Sequence, residues 1–421
     1  MKYQFGLVFF AAFVVLIIDL YLFWRWKHSG LYDNLTGKFF SLFLFLLMPL
    51  AAFFGFFYIG LRMQVAEGSQ IYVAFGWFFM AFLIIYAAKL LFSGFDGLQL
   101  IVNRLARPAE PKVRHYPRIT RRKFLSQIGI IMATAPFVSL LFGALKGRFA
   151  FYVREVQLSF PNLPQGFDGL RIAQISDLHL GSFGDNREPL TEALELISDS
   201  RPDMILFTGD LVNNFAREID GWEAVFAKLH APMGKYSILG NHDYGNYSRW
   251  DSDAEREANF QGIVEGNKKL GFTLLRNESL VLSRKGDKIG LAGVENWGTA
   301  SFPRNGDLEP AAEGIKDLSF NLLMSHDPDH WDKQILPQDF FDLTLSGHTH
   351  GMQFGIEKGD FRWSPAQYVQ KRWAGLYREG DKFLYVNRGL GCHGLPARVG
   401  MPPEITIFIL RRGAISEEGL N

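Results

Sequence analysis

Five of the ten histidines in this 421-residue chain stand where metal chemistry is easily built: His179, His242, His326, His348 and His350. Imidazole is the commonest protein ligand for first-row transition metals. The stretch Leu345–Gln353 reads LSGHTHGMQ. An apolar run ends at Ser346-Gly347 and then delivers His348 and His350. Residues two apart on an extended chain share a side, so one strand end aims two imidazoles the same way. A single His-Thr-His arises by chance. This one gains meaning because four other strand ends carry partners for it.

Those partners follow short, mostly apolar runs that read as buried strands. The run ending at Ser176 is followed by Asp177-Leu178-His179, and Met204–Thr208 by Gly209-Asp210. Tyr236–Leu239 precedes Gly240-Asn241-His242-Asp243, and Phe320–Ser325 precedes His326. Ligands in open α/β sheets sit beyond the carboxyl ends of the strands. Gly-Asp alone is an ordinary turn, and one Asp-x-His carries little. The ordered set is much harder to obtain by accident. His330 is expected behind this site or at the surface, and His393 with the lone Cys392 in a Gly-rich loop outside it.

Further strands are expected at Val153–Leu158, Lys288–Val294, Phe383–Asn387 and Ile405–Leu410. Helices are expected at Pro189–Ser198, Ile219–Leu229 and Asp253–Leu270. Strands alternating with helices imply a layered α/β domain.

The first third is different. Four runs of about 20 apolar residues, the length that crosses a bilayer, fall near Phe5–Trp24, Phe39–Tyr58, Ile71–Phe92 and Phe124–Leu145. Arg25, Lys27 and Lys38 lie in the first loop. Arg104, Arg107, Lys112, Arg114, Arg118, Arg121, Arg122 and Lys123 dominate the third. The positive-inside rule places both loops in the cytoplasm, and everything after about Gly147 outside it. Asp19 and Lys89 are expected to snorkel to the interface. Thr120-Arg121-Arg122-Lys123-Phe124-Leu125 resembles a twin-arginine export motif and also reads as a cytoplasmic charge anchor. The domains expected are a four-span transmembrane region, 1–147, and a catalytic domain, 148–421. Net charge is +1, which gives a nucleic-acid partner no support. One cysteine excludes disulfides and thiolate zinc sites within the chain.

Asp177-Leu178-His179, Gly209-Asp210, Gly240-Asn241-His242-Asp243, His326 and Gly347-His348-Thr349-His350 resemble, in order, the signature of the calcineurin-like metallophosphoesterases. The tail Asn387-Arg388-Gly389-Leu390-Gly391, with Pro396, Arg398, Pro403 and Glu404, is similar to a membrane-associated bacterial subgroup. The resemblance covers roughly residues 170–410. It implies a four-layer α/β/β/α sandwich with two metal ions between the sheets. Asp177, His179 and His350 would hold one ion, Asn241, His326 and His348 the other, and Asp210 would bridge them. His242 would face the scissile phosphate, with Asp243 orienting it. Departures are Gly351-Met352-Gln353 in place of Gly-Gly-Gln, and Asn213 and Glu295-Asn296 where relatives often carry acids.

Nitrogen and oxygen donors without thiolate favour Mn, Fe or Zn. Relatives of the resemblance include phosphodiesterases and UDP-2,3-diacylglucosamine pyrophosphatases. An extracytoplasmic domain at the plasma (inner) membrane favours a phosphodiester or pyrophosphate of an envelope lipid or glycan, a lipid-linked substrate included. The competing expectations are the UDP-lipid pyrophosphatase, if the domain is cytoplasmic, a non-catalytic metal sensor, and a transporter. The aromatic and basic stretch Trp363, Tyr368, Lys371, Arg372, Trp373, Tyr377 and Arg378 suits either the headgroup layer or a packed loop.

Overall fold

A computed structural model describes residues 15–25, 27, 38–39, 45, 47–65, 69–105, 134–299, 302–359 and 361–418. The chain forms two compact units, the second of which takes in Gly143–Asn421.

In the first unit, Met48–Val65 and Ser69–Leu105 are helices, and residues 15–25 are helical. Ala74–Leu98 is the one segment among the described residues long and apolar enough to cross a membrane. It overlaps the third expected span. Parts of the other three, and nearly all of the basic loop with its twin-arginine-like motif, lie outside the described residues. Asp19 and Lys89 differ from expectation. Rather than snorkelling, they pair at 2.6 Å, and Tyr86 donates to Asp19 at 2.9 Å. Arg25 and Asp96 pair at 2.5 Å between the same two helices, with Tyr21 donating to Asp96. Partnering removes the cost that drives a lone charge toward water.

The second unit holds two large sheets. The first runs β15-β1-β14-β2-β3-β4-β5. Its strands are β1 (Tyr152–Phe160), β2 (Leu170–Ile175), β3 (Met204–Phe207), β4 (Lys235–Ser237), β5 (Thr273–Leu274), β14 (Glu404–Arg412) and β15 (Ser416–Glu418). The second runs β12-β13-β9-β8-β7-β6. It is built from β6 (Glu278–Arg284), β7 (Asp287–Gly293), β8 (Asn321–Met324), β9 (Leu343–Ser346), β12 (Gly375–Glu379) and β13 (Lys382–Val386). Strands β2 to β5 are parallel, as are β7, β8, β9 and β13. A hairpin of β10 (Ile356–Lys358) and β11 (Phe361–Trp363) stands apart as a third, two-stranded sheet.

Both faces of each central strand are apolar because both are covered. Met204 and Leu206 of β3 point into a core shared with Leu291, Leu322, Leu345 and Tyr385 of the other sheet. Ile205 and Phe207 point the other way, onto Leu190, Ala193, Leu194 and Ile197 of the helix Glu188–Asp199. That i, i+3, i+4, i+7 stripe is why the helix lies on the sheet. On the far side, the helix Leu308–Ala312 with Trp331 and Ile335 covers Leu323, Leu384 and Val386. Helices therefore flank the two sheets on both outer faces.

Two expectations need correction. The helix expected at Ile219–Leu229 is a 3-10 turn, Ala216–Ile219, followed by one turn of helix, Glu223–Phe226. Gly221 between them sits at φ +77°, which an L-residue rarely adopts and a helix cannot contain. The aromatic and basic stretch is split. Trp373 and Arg372 are buried, with Arg372 paired to Asp332 and Glu379, whereas Tyr368 is 74% exposed.

Candidate metal centre

All five strand ends named from the sequence arrive at one place. Asp177 and His179 follow β2, Asp210 follows β3, and Asn241 opens a 3-10 turn after β4. His326 follows β8, while His348 and His350 follow β9. The first sheet thus contributes four of the seven side chains and the second sheet three. Backbone bonds lash the loops together: Asp177 N to Gly209 O, His179 N to Asp210 O, and Gly347 N to His326 O. Gly209, at φ +96°, lets them close in, because a Cβ there would meet Gly240 N at 2.6 Å and His326 Nδ1 at 2.9 Å.

Asp177, His179, Asp210, His348 and His350 all carry positive φ. Bulky L-residues hold that conformation only where their surroundings over-determine it, and such residues concentrate at functional sites.

The side chains form two adjoining nests about Asp210. His179 Nε2 lies 3.6 Å and His326 Nε2 3.3 Å from the same Asp210 oxygen, Oδ2. On one side, His179 Nε2 is 3.1 Å from His350 Nε2, which is 3.3 Å from Asp177 Oδ1. On the other, Asn241 Oδ1 is 3.2 Å from His326 Nε2 and 2.7 Å from His348 Nδ1. The second nest tests whether a cation fits. His326 Nδ1 donates to Thr208 O at 2.7 Å, since a carbonyl can only accept. In the neutral ring Nε2 is then a bare lone pair aimed at two further acceptors, Asn241 Oδ1 and Asp210 Oδ2. Three acceptors with no hydrogen between them repel unless a positive charge sits among them. The donor set fits a divalent ion.

The electrostatics agree. Burial alone would lower the His326 pKa, yet Asp210, by charge and hydrogen bond, and Asp177 push it up to about 10. A proton is thus favoured where a metal would sit. Burial drives His179 and His350 well below the ordinary imidazole value. Both imidazoles are neutral at pH 7. Asp210 is buried, but the imidazoles of His326, His242 and His179 hold it well below the usual carboxylate range.

His242 sits beside these nests, its ring 5.0 Å from that of His179. Its Nδ1 donates to Asn213 O at 2.8 Å, leaving Nε2 outward. This corrects the part expected of Asp243, which does not orient the ring. Its carboxylate accepts instead from the backbone N–H groups of Asp210 (3.0 Å), Leu211 (2.9 Å), Val212 (3.3 Å) and Gly240 (2.9 Å). Asp243 clasps the loop that carries Asp210.

Among the neighbours, Glu218 and Tyr247 escaped the sequence reading, whereas His330 was expected behind the site or at the surface and Arg398 was named in the tail. Glu218, buried, accepts from the N–H groups of Gly181, Asn213, Asn214 and Phe215, a second clasp under the Asn213 carbonyl. Tyr247 accepts from Asn241 Nδ2 at 2.8 Å. His393, expected outside the site, stands 4.1 Å from His242 ring to ring. The chain turns there because Gln353 holds His393 N at 2.6 Å. Arg398 is buried among the carbonyls of Arg388, Gly389 and Gly391 and comes within 3.2 Å of His350 Nδ1. His330 is buried, bonded to Ser325 and stacked on Trp297. Local sequence around Glu218, Tyr247 and His393 holds no signal for these parts.

Residues 170–352 match the family described as Calcineurin-like phosphoesterase. Residues 4–148 match that described as Probable Calcineurin-like phosphoesterase, transmembrane domain. An uncharacterized metallophosphoesterase of Bacillus subtilis is 36% identical over 255 residues, 59% of this chain and 82% of that protein. The chain belongs to the calcineurin-like metallophosphoesterases, as a membrane-anchored member. This metallophosphoesterase is also 30% identical over 302 residues to a UDP-2,3-diacylglucosamine pyrophosphatase of Chlamydia trachomatis, covering 59% of this chain and 86% of that one. A transmembrane protein with metallophosphoesterase domain from Danio rerio is 29% identical over 269 residues, 62% of this chain but only 57% of that protein's length. As a metallophosphoesterase the chain is a hydrolase of phosphoester bonds.

Proposed function

We propose that this metallophosphoesterase is a dinuclear phosphodiesterase or pyrophosphatase whose substrate is an envelope lipid or glycan at the outer face of the plasma membrane. Residues 1–147 would be its four-span anchor and 148–421 its catalytic domain. The reading rests above all on one observation: Asp210 Oδ2 lies within 3.6 Å of Nε2 on both His179 and His326. One carboxylate oxygen so placed suits a bridge, since its charge offsets two nearby dications. Asp177, His179 and His350 would complete one site, and Asn241, His326 and His348 the other, for Mn, Fe or Zn.

Two ions so held supply charge neutralisation at the phosphoryl group and a water activated near neutral pH. The chain's own residues do the rest. Buried, neutral imidazoles and the ionised Asp210 keep those ligands ready without a proton to shed; His326, and Asp177, whose carboxyl burial pushes up to about 7, hold protons that an ion would displace. His242, with Nδ1–H fixed on Asn213 O, can gain a proton at Nε2 only as imidazolium. An anionic phosphoryl group beside it favours that form. It would then stabilise the transition state or protonate the leaving oxygen. Asn213 would therefore act as an orienting residue through its backbone carbonyl.

The pyrophosphatase of Chlamydia trachomatis supports a lipid-linked pyrophosphate as one substrate class. The basic third loop supports an extracytoplasmic domain. The paired charges Asp19–Lys89 and Arg25–Asp96 satisfy one another between two helices, and so read as glue rather than as a transport path.

The test is turnover of a generic aryl phosphodiester and the matching monoester by the full chain in detergent, stripped of metal and reloaded with Mn. Diester turnover that requires metal supports the reading. Monoester turnover alone replaces it with a phosphatase. A folded protein with two bound ions and no turnover replaces it with the sensor.

A further inference from the structure

Hairpin β10–β11 is amphipathic in the wrong sense for water. Its register pairs Ile356 with Trp363, Glu357 with Arg362, and Lys358 with Phe361. Side chains alternate faces along a strand, and directly opposed residues share one. Glu357 and Arg362 thus lie on one face, which turns inward. Glu357 pairs with Arg154 at 3.2 Å and with buried Arg388 at 2.7 Å. Arg362 donates to Ala374 O at 3.0 Å and lies over the Trp373 ring. The other face, Ile356, Trp363 and Phe361 with Lys358, turns outward. Ile356 is 54% and Phe361 60% exposed.

The outward face does not end at the hairpin. Phe354 packs on Trp363 at 6.2 Å between ring centroids, and Trp363 Nε1 donates to the hydroxyl of exposed Tyr368 at 3.3 Å. Glu357 and Arg362 go in while Ile356, Phe361 and Trp363 go out, with Lys358 beside them, which is the reverse of a solvated antiparallel sheet. A contiguous patch of this kind marks an interaction surface. Trp and Tyr together are the residues of the membrane–water boundary.

What covers the patch is set by where the chain comes from. Phe354 bridges to Val399, and Gly355 N donates to Val399 O at 2.9 Å. The preceding residue, Arg398, donates from its backbone to Gly143 O at 3.2 Å. Gly143 lies inside the stretch that matches the transmembrane-domain family. The hairpin therefore starts one residue pair away from the stretch that matches the transmembrane-domain family.

We propose that the outward face of β10–β11, with Phe354 and Tyr368, rests in the headgroup layer as a second membrane contact of the catalytic domain. The segment His350–Gln353 leads from the metal centre directly into this hairpin, so the contact holds the site beside lipid. The inference depends on the membrane anchor, which the family shows, and not on the substrate proposed above.

The full chain, with Cys392→Ser and either Ile356→Cys or Phe361→Cys, would be labelled with bimane and reconstituted into phosphatidylcholine vesicles. Brominated phosphatidylcholine would be the quencher. Val281→Cys is the control, because Val281 is exposed on β6, at the opposite edge of the second sheet from β12. The expected result is that labels at 356 and 361 lose most of their emission in brominated vesicles, while the label at 281 keeps its own. Equal emission at all three positions overturns the proposal. So does a blue-shifted label at 361 that brominated lipid leaves unquenched, because that identifies a protein on the patch instead.

Discussion

At the scale of single residues, the proposed metal nests and the proposed proton donor, His242, are separable by substitution. Asp210→Asn removes charge from the one oxygen shared by both nests. The expected outcome is loss of bound metal, measured by elemental analysis, together with activity. His242→Ala touches neither nest, so metal content should hold while the rate falls at least ~100-fold, the scale of general acid–base catalysis. Normal turnover by either variant would sink the assignment. The third prediction concerns pH. His326 sits at about 10 in the metal-free fold, against about 6.5 for an unfolded histidine. Between those values the folded state binds more protons than the unfolded one, so stability falls as pH rises through the window. A bound cation takes the place of that proton and removes the slope. Metal-stripped protein should therefore lose Tm from about pH 7 to about pH 10, and Mn-loaded protein much less. A stripped protein equally stable at both ends contradicts this.

At the scale of elements, two buried carboxylates hold the loops in shape. Asp243 and Glu218 each take four backbone N–H groups. Orphaning a buried N–H costs about 1–3 kcal/mol. Asp243→Ala and Glu218→Ala should each cost at least ~3 kcal/mol, or roughly 6 °C in Tm at ~2 °C per kcal/mol for a domain of this size. A change within a degree or so would show that other bonds hold those turns. These clasps also mark the limit of sequence reading. The strands before Asp177, Asp210, Asn241, His326 and His348 were legible because most of their residues are buried, which writes short, mostly apolar runs. Glu218 was not, since its part depends on four N–H groups brought to it by folding. The β6–β7 hairpin was missed because its turn, Lys285-Gly286 with φ +54° and +89°, is a two-residue reverse turn without the usual Asn or Asp. Asp243 was misjudged for the same physical reason as Glu218: adjacency to His242 along the chain is not contact in space.

At the scale of the whole molecule, the side of the membrane that holds the catalytic unit decides which substrates it meets. The positive-inside rule, applied to the basic loops of the sequence, would put it outside. A reporter fused after Arg148 should give the extracytoplasmic signal. A cytoplasmic signal would turn the substrate search to UDP-linked lipids. The seven proposed ligands come from both sheets, four from one and three from the other, so no complete nest exists until the two sheets have closed on each other. A domain whose sheets have not closed could not hold the proposed ions. They would enter in the compartment where the domain folds. With only nitrogen and oxygen donors to discriminate with, affinity alone would follow the general order of the first-row metals. The working ion is then a property of the address as much as of the sequence. On the proposed ligand set, folding the same chain on the other side of the membrane would offer it a different choice of ions without changing a residue.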